Sequence, residues 1–347
     1  MHMADALISP AVGGTMWVVS GGLIAYSAKK VREEADDRKI PLMGVLGAFI
    51  FAAQMINFTI PATGSSGHLG GGMILAILLG PYSAFLVMAS VLTVQALFFA
   101  DGGLLALGCN IFNLGFFTCF VAYPLVYKKI IGRGLDKKRL IIAATIAGVI
   151  GLELGAFGVA LETVSSGISE LPFKTFVLLM IPIHLAIGLV EGLVTSGVVS
   201  FVITARPEIV TAAGEKTPPG VGVKKTALGI AAAAVLAGAA LSWFASAHPD
   251  GLEWAMLKTS GREELESSGR LHGLLASLQE KTAFLPDYGF RKAAPAGEVK
   301  SEPAAGEKAA WPAIDAGASV SGLVGGLLTL LLAALIGLGL KRRQTAA

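Results

Sequence analysis

The sequence predicts an all-α fold, a polytopic membrane helical bundle of about seven segments followed by a two-segment hairpin with an extracytoplasmic loop. Three observations lead there. Of the 347 residues, 54% are hydrophobic and 15% charged, with a mean hydropathy of +0.71, whereas soluble domains carry about 25% charged residues. Residues 41–127 contain a single Asp, Glu, Lys or Arg, namely Asp101, where a surface facing water would need many. The 44 glycines beside 7% aromatic residues suit helices that approach one another through small side chains, as membrane bundles do. These features exclude an ordinary soluble enzyme.

At about 20 apolar residues per crossing, segments fall near 10–28, 41–57, 69–79, 81–99, 108–127, 140–160, 175–204, 226–246 and 318–340. Basic clusters punctuate them. The first two segments flank Lys29, Lys30, Arg32, Arg38 and Lys39. The fifth and sixth flank Lys128, Lys129, Arg133, Lys137, Lys138 and Arg139, and the seventh and eighth flank Arg206, Lys216, Lys224 and Lys225. The ninth ends at Lys341, Arg342 and Arg343. The third segment is short and meets the fourth at Gly80-Pro81, a breaker pair expected to make a tight turn or a bent re-entrant element.

Cytoplasmic loops collect Lys and Arg, and these clusters hold 18 of the 27 basic residues. The loops 58–68 and 100–107 carry none, and 161–174 carries only Lys174. The sides alternate if the third and fourth segments enter and return as a pair. The N-terminus is then outside and the C-terminus cytoplasmic, in the lipid of a bacterial or archaeal cell membrane.

Residues 1–207 form the body, and 208–225 a cytoplasmic linker within the Pro/Gly/Lys-rich stretch ARPEIVTAAGEKTPPGVGVKK. Residues 226–347 form the hairpin around an outside region, 247–317, whose later part (AAPAGEVKSEPAAGEKAA) is low in complexity and expected to be disordered. The net charge is +3 and no basic patch is interleaved with aromatics, so no nucleic-acid partner is expected. Cys109 and Cys119 lie far from any CxxC spacing and read as packed small hydrophobes.

The opening MHMADALISP has no basic n-region and no small-residue cleavage site, so it does not read as a signal peptide. The initiator Met is expected to stay before the bulky His2. The Met1 amine (pKa about 8), the His2 amide nitrogen and the His2 imidazole close a chelate on one metal ion. Nitrogen donors in a tetragonal arrangement suit Ni(II) or Cu(II) and admit Co(II). The fourth ligand is missing from this chelate, and the candidate for it is His68, in PATGSSGHLGGG, on the same side as Met1 by topology. The glycines let that loop fold over the N-terminal residues, and the serines offer hydrogen bonds to the second ring nitrogen. Taken singly, an early His or a loop-anchoring His is the plainer reading of either residue.

At these residues the chain resembles the CbiM/NikM family, the metal-capturing S components of energy-coupling-factor transporters for cobalt and nickel. The resemblance rests on MHxxDxxxSP, on GxSGHLxGG and on FADGGLLALGCNIFN (99–113), then on SGISELPF (166–173) and HLAIGLVEGLVT (184–195). HPDGLE (248–253) and FLPDYGF (284–290) resemble the CbiN/NikN accessory subunit, so the whole looks like a fused form. The resemblance implies a metal held by the N-terminal amine, the backbone nitrogen and imidazole of His2, and His68. Ala6 stands where the family mostly has Gly, which bears on the path of the first turn.

Glu153, Glu162 and Glu191 lie in or at the ends of membrane segments, where an ionisable group needs a partner. Hydrogen bonding between helices without metal contact is the expected role. His184 stands two helical turns from Glu191 on the same face, and the two are candidates for one polar network. The pairs Gly151/Gly155 and Gly188/Gly192 have GxxxG spacing and read as packing sites. His248 and His272, with Asp250, Glu253, Glu263, Glu264 and Glu266, are expected to form a solvated acidic face, and Asp101 to cap a helix.

No GxxxxGK[ST] phosphate loop is present, so ATP hydrolysis falls to another subunit. The resemblance implies a CbiQ/NikQ-type transmembrane coupling subunit and a CbiO/NikO-type ATPase. The chain is expected not to be an enzyme and to need no cofactor, its cargo being Co2+ or Ni2+. HExxH and paired nucleophile motifs are missing. The alternatives are a proton-coupled or passive divalent-metal carrier using Glu153 and Glu191, and a metal sensor signalling through the linker.

Overall fold

The computed structural model describes residues 2–34, 36, 39–132, 136–168, 171–205, 223–262, 265, 269–291 and 311–342. Most of the linker and the low-complexity stretch lie outside the described residues, as do Met1, Glu263, Glu264 and Glu266. The architecture is an α-helical bundle with one two-stranded hairpin among the described residues.

Helix α1 (Pro10–Glu34) starts with proline in its first turn, and the Ser9 hydroxyl accepts the Val12 amide. It is followed by α2 (Lys39–Gln54), the strands β1 (Phe58–Ile60) and β2 (Ser65–Gly67), and α3 (Gly72–Leu79). Helix α4 (Pro81–Phe99) ends in a π turn, and α5 (Leu107–Ile131) is π-wound from Phe112 to Tyr127, across Pro124, which has no amide to donate. Helix α6 (Lys137–Ser166) begins at Asp136, whose carboxylate accepts the Lys138 and Arg139 amides. The long α7 (Phe173–Ala205) closes the body. Then come α8 (Val223–Ala239), α9 (Gly251–Ser260), α10 (Arg270–Thr282) and α11 (Ala316–Arg342).

Helices stand at all the expected apolar segments, and six among the described residues are long and apolar enough to cross a membrane: α1, α4, α5, α6, α7 and α11. Helix α2 has 16 residues, α3 has 8 and α8 has 17. The shortness of α3 has a physical reason. Every one of its side chains is buried, against α2, α4, α5, α6 and α7, so it is apolar all round because protein surrounds it. Gly80, at φ 80°, ends α3 and turns the chain into Pro81, the first residue of α4.

Helices α6 and α7 form the most extensive pair. A Cβ on Gly192 would lie 2.2 Å from Thr145 Cα, and one on Gly188 would lie 2.8 Å from Val149 Cα; both are packing sites. On its other face α7 exposes Leu178, Leu185, Leu189, Leu193 and Phe201, a stripe suited to lipid. Cys109 and Cys119 are free and buried. Helices α8 and α11 lie along α2. Between them α9 and α10 fold back over one end of the body, where Ser66 donates its amide to Pro249, Ser246 to Asn57, and the Trp254 indole to Thr63.

Candidate metal site

The N-terminal segment plugs into the bundle, with Met3, Leu7 and Ile8 fully buried. Asn110 of α5 grips Met3 at both ends of its backbone: the Met3 amide donates to Oδ1 at 2.8 Å, and Nδ2 donates to the Met3 carbonyl at 3.1 Å. The Gly103 amide donates to the same carbonyl at 2.9 Å, and Asp5 accepts the Ala106 amide. The first turn is a 3-10 helix, Asp5–Leu7, and Ala6 lies within it.

His2 is thereby presented to Asp101, with Nδ1 2.7 Å from Oδ1. The other carboxylate oxygen of Asp101 accepts the hydroxyl of Tyr288. Burial would raise the Asp101 pKa, but the His2 ring and the Tyr288 hydroxyl outweigh it and hold the group down at about 2. The expected helix cap is therefore corrected: Asp101 leaves the end of α4, where Ala100 adopts a left-handed conformation, and holds an imidazole instead.

His68 follows β2 and is buried. Glu191 of α7 secures its loop, accepting the Gly70 amide at 2.7 Å on one oxygen and the Gly71 amide at 3.1 Å on the other. Gln54 donates to the Gly70 carbonyl, and Gln95 donates to Gln54. Nδ1 of His68 faces the Leu69 carbonyl at 3.1 Å, and Nε2 lies 3.9 Å from an Asp250 oxygen. Burial drives the His68 pKa down to about 3, so its ring is neutral near pH 7. Asp250 also caps α9 in a reciprocal capping box with Glu253. Its carboxyl is held below the ordinary range, against the opposing effect of burial, by nearby positive charge and by the Glu253 amide it accepts.

The two imidazoles meet. Their ring centroids are 5.0 Å apart with planes 26° from parallel. Nε2 of His2 is buried without a hydrogen-bond partner among the described residues. Both rings line a cavity of about 510 Å³ shared with Asp101, Asp250, Glu253 and Tyr288. Imidazole nitrogens beside carboxylates are donors that suit a transition-metal cation. Met1 lies outside the described residues.

The remaining candidates take other places. Glu162 accepts from Asn113, whose amide also approaches the Met3 sulfur at 3.9 Å. His184 shares a small cavity with His68 and Asp250, its Nδ1 turned to the Met180 carbonyl at 2.8 Å. Neither Glu153 oxygen has a partner among the described residues. His248 is exposed, as a solvated face requires. His272 is not: it is 3% exposed and bonds the Ile8 carbonyl at 2.9 Å, so it fastens α10 to the N-terminal segment. Sequence reasoning passed over Asn110, Gln54 and Tyr288. The asparagine and glutamine were signalled by their polarity within apolar runs, where a buried amide needs partners.

Residues 2–209 match the family described as the cobalt uptake substrate-specific transmembrane region, and residues 224–342 match the PDGLE domain. A protein of Archaeoglobus fulgidus, provisionally named as a fused nickel transport protein NikMN, is 38% identical over 68% of this chain and 74% of its own length. The fused nickel transport protein NikMN of Rhodobacter capsulatus is 30% identical over 60% of this chain and 63% of its own. A crystal structure described as a truncated transition metal transporter superposes with a TM-score of 0.52 at 30% identity, covering 59% of this chain and 99% of that one. The chain belongs to the CbiM family of cobalt uptake substrate-specific transmembrane regions, carries a PDGLE domain, and is a multi-pass membrane component of cobalt or nickel transport.

Proposed function

We propose that this chain is the ion-capturing component of an ATP-driven energy-coupling-factor importer for Co2+ or Ni2+. The ion is taken at the extracytoplasmic face by the Met1 amine, the backbone nitrogen and ring of His2, and the ring of His68. The stacked approach of His2 and His68 within an acid-lined cavity carries this reading. Two nitrogens bound to one ion at about 2 Å each sit within about 4 Å of each other, a spacing that rings 5.0 Å apart accommodate. Among the described residues no group of three or more His, Cys, Asp or Glu is arranged to hold a metal. An ion gripped by the two rings therefore needs donors of another kind, and main-chain nitrogens at the start of the chain supply them. Residues 1–207 do the capturing, 208–225 link, and 226–347 form the accessory part. The N-terminus lies outside and the C-terminus in the cytoplasm. A CbiQ/NikQ-type coupling subunit and a CbiO/NikO-type ATPase complete the machine, since this chain has no phosphate loop.

Untagged protein titrated with Ni2+ and Co2+ tests the site. His2→Ala and His68→Ala should each lower affinity by more than about 100-fold, beyond the effect of losing a group behind a ligand, and blocking the amine should do the same. Unchanged affinity in His68→Ala would remove it from the ligand set. Uptake into vesicles that proceeds without the ATPase would overturn the coupled mechanism in favour of a carrier.

A further inference from the structure

Helix α10 is more strongly amphipathic than the membrane helices α1, α7 and α11, and hydrogen bonds from one side fix its orientation. His272 bonds the Ile8 carbonyl, two residues before α1 begins. The Gln279 side chain donates to the Ala96 carbonyl in the last turn of α4 and to the Gly102 carbonyl just past it. The helix therefore lies at the level where two membrane-spanning helices end. Held so, α10 turns Leu271, Leu274 and Leu278 away from the body; they are 39%, 67% and 48% exposed. Their spacing puts them on one stripe. Arg270 stands one turn before Leu274 and Lys281 two turns after it, so an exposed basic residue borders each end of the stripe. Phe284, also exposed, continues the apolar surface, and its ring packs on Phe98 and Phe99 of α4 at 5.6 and 6.2 Å. Between the ends of α8 and α11, the exposed Trp311 meets Phe244 edge-on.

We propose that α10 is an interfacial helix, seated in the headgroup region of the leaflet at the cavity's end of the bundle. Leucines on one side with basic residues at their borders are what a helix lying in the plane of the interface presents. The Arg270 and Lys281 stems run along apolar surface and return their charges to headgroup phosphates. A patch of three leucines and a phenylalanine marks a contact surface, and the apolar surface it prolongs is that of α4, whose own surroundings are lipid. Exposed aromatic rings at the ends of α8 and α11 fit the belt found at that depth. The inference concerns the PDGLE domain's contact with lipid and stands whatever fills the cavity. Because His272 of the same helix holds Ile8, the bilayer braces the segment that carries His2.

The test uses the full-length protein in vesicles of phosphatidylcholine and phosphatidylglycerol. Leu274→Cys on the stripe and Glu280→Cys on the opposite, exposed side are each labelled with bimane; Cys109 and Cys119 are buried, and the parent treated with the dye gives the blank. Quenching by lipids carrying a doxyl group high on the acyl chain should place the label at 274 about 5–10 Å into the headgroup boundary. Aqueous iodide should quench the label at 280 and spare the one at 274. Iodide quenching at both positions without lipid quenching would overturn the proposal, since α10 would then stand in water. Quenching of 274 by neither agent would overturn it in favour of a second copy covering the stripe, and equal lipid quenching at both positions would deny the helix its two sides. Should Leu274→Cys fail to insert, Leu278→Cys reads the same stripe with the same outcomes.

Discussion

The two histidines stand 5.0 Å apart, yet their supports differ in kind. The loop of His68 is clamped by Glu191, a carboxylate 1% exposed on the longest helix of the body, and by Gln54 from α2. His2 rides on a segment held by loop amides and by Asn110, and its ring leans on Asp101, which leans on the PDGLE domain. One cradle is part of the helix packing and forms when the bundle forms. The other is laid across the bundle's end by hydrogen bonds to an N-terminal segment and a covering domain. On the proposed metal reading, one ring is fixed with the bundle and the other is delivered to it by the N-terminal segment.

Removing each support separately would break or sharpen that contrast. Glu191→Ala has the largest expected effect: it leaves the buried Gly70 and Gly71 amides without an acceptor, at about 1–3 kcal/mol each. Melting temperature and Ni2+ affinity should fall together, and Glu191→Gln, which retains one acceptor oxygen, should fall between. Asn110→Ala should act on the other cradle, lowering affinity about 10-fold, as losses behind a ligand do, with a smaller drop in melting temperature because the freed N-terminal segment can return to water. Equal destabilisation by Glu191→Ala and Asn110→Ala would erase the distinction between the cradles.

The helices were legible because membrane segments announce themselves by apolar length, and the His68 loop because glycine, serine and histidine cluster in an uncharged stretch. The central placement of α3 was not legible, since a helix buried in protein and one bathed in lipid present the same side chains. The role of Asp101 was hidden for another reason. Its partners, His2 and Tyr288, are 99 and 187 residues away, and no local spacing encodes contacts of that range. His272 was misread as solvated for the same cause, its acceptor being the carbonyl of Ile8. The capping box of α9, by contrast, lies within HPDGLE, where Asp250 precedes Glu253 by three residues.

The smallest predicted effect concerns how firmly the PDGLE domain grips. Glu253 lines the cavity and accepts the Asp250 amide at 2.9 Å. Burial first, and then the charge of Asp250, raise its pKa from the ordinary 4.5 to about 7. Because the folded value lies above the unfolded one, the stability linked to Glu253 is fully present below pH 4.5 and is lost as pH rises through about 7. Glu253 belongs to the covering segment, so the loss linked to it should fall there. Protease cleavage within 243–291 of the metal-free protein should speed up between pH 4.5 and pH 7. Glu253→Gln keeps the side-chain carbonyl that closes the capping box and removes the charge, so its cleavage rate should be flat over the same interval and match the parent's rate at the acidic end. If parent and variant accelerate alike, the covering domain's grip does not depend on this carboxyl, and the contrast between a fixed cradle and a delivered one must rest on the hydrogen bonds of Asn110, Asp101 and Tyr288.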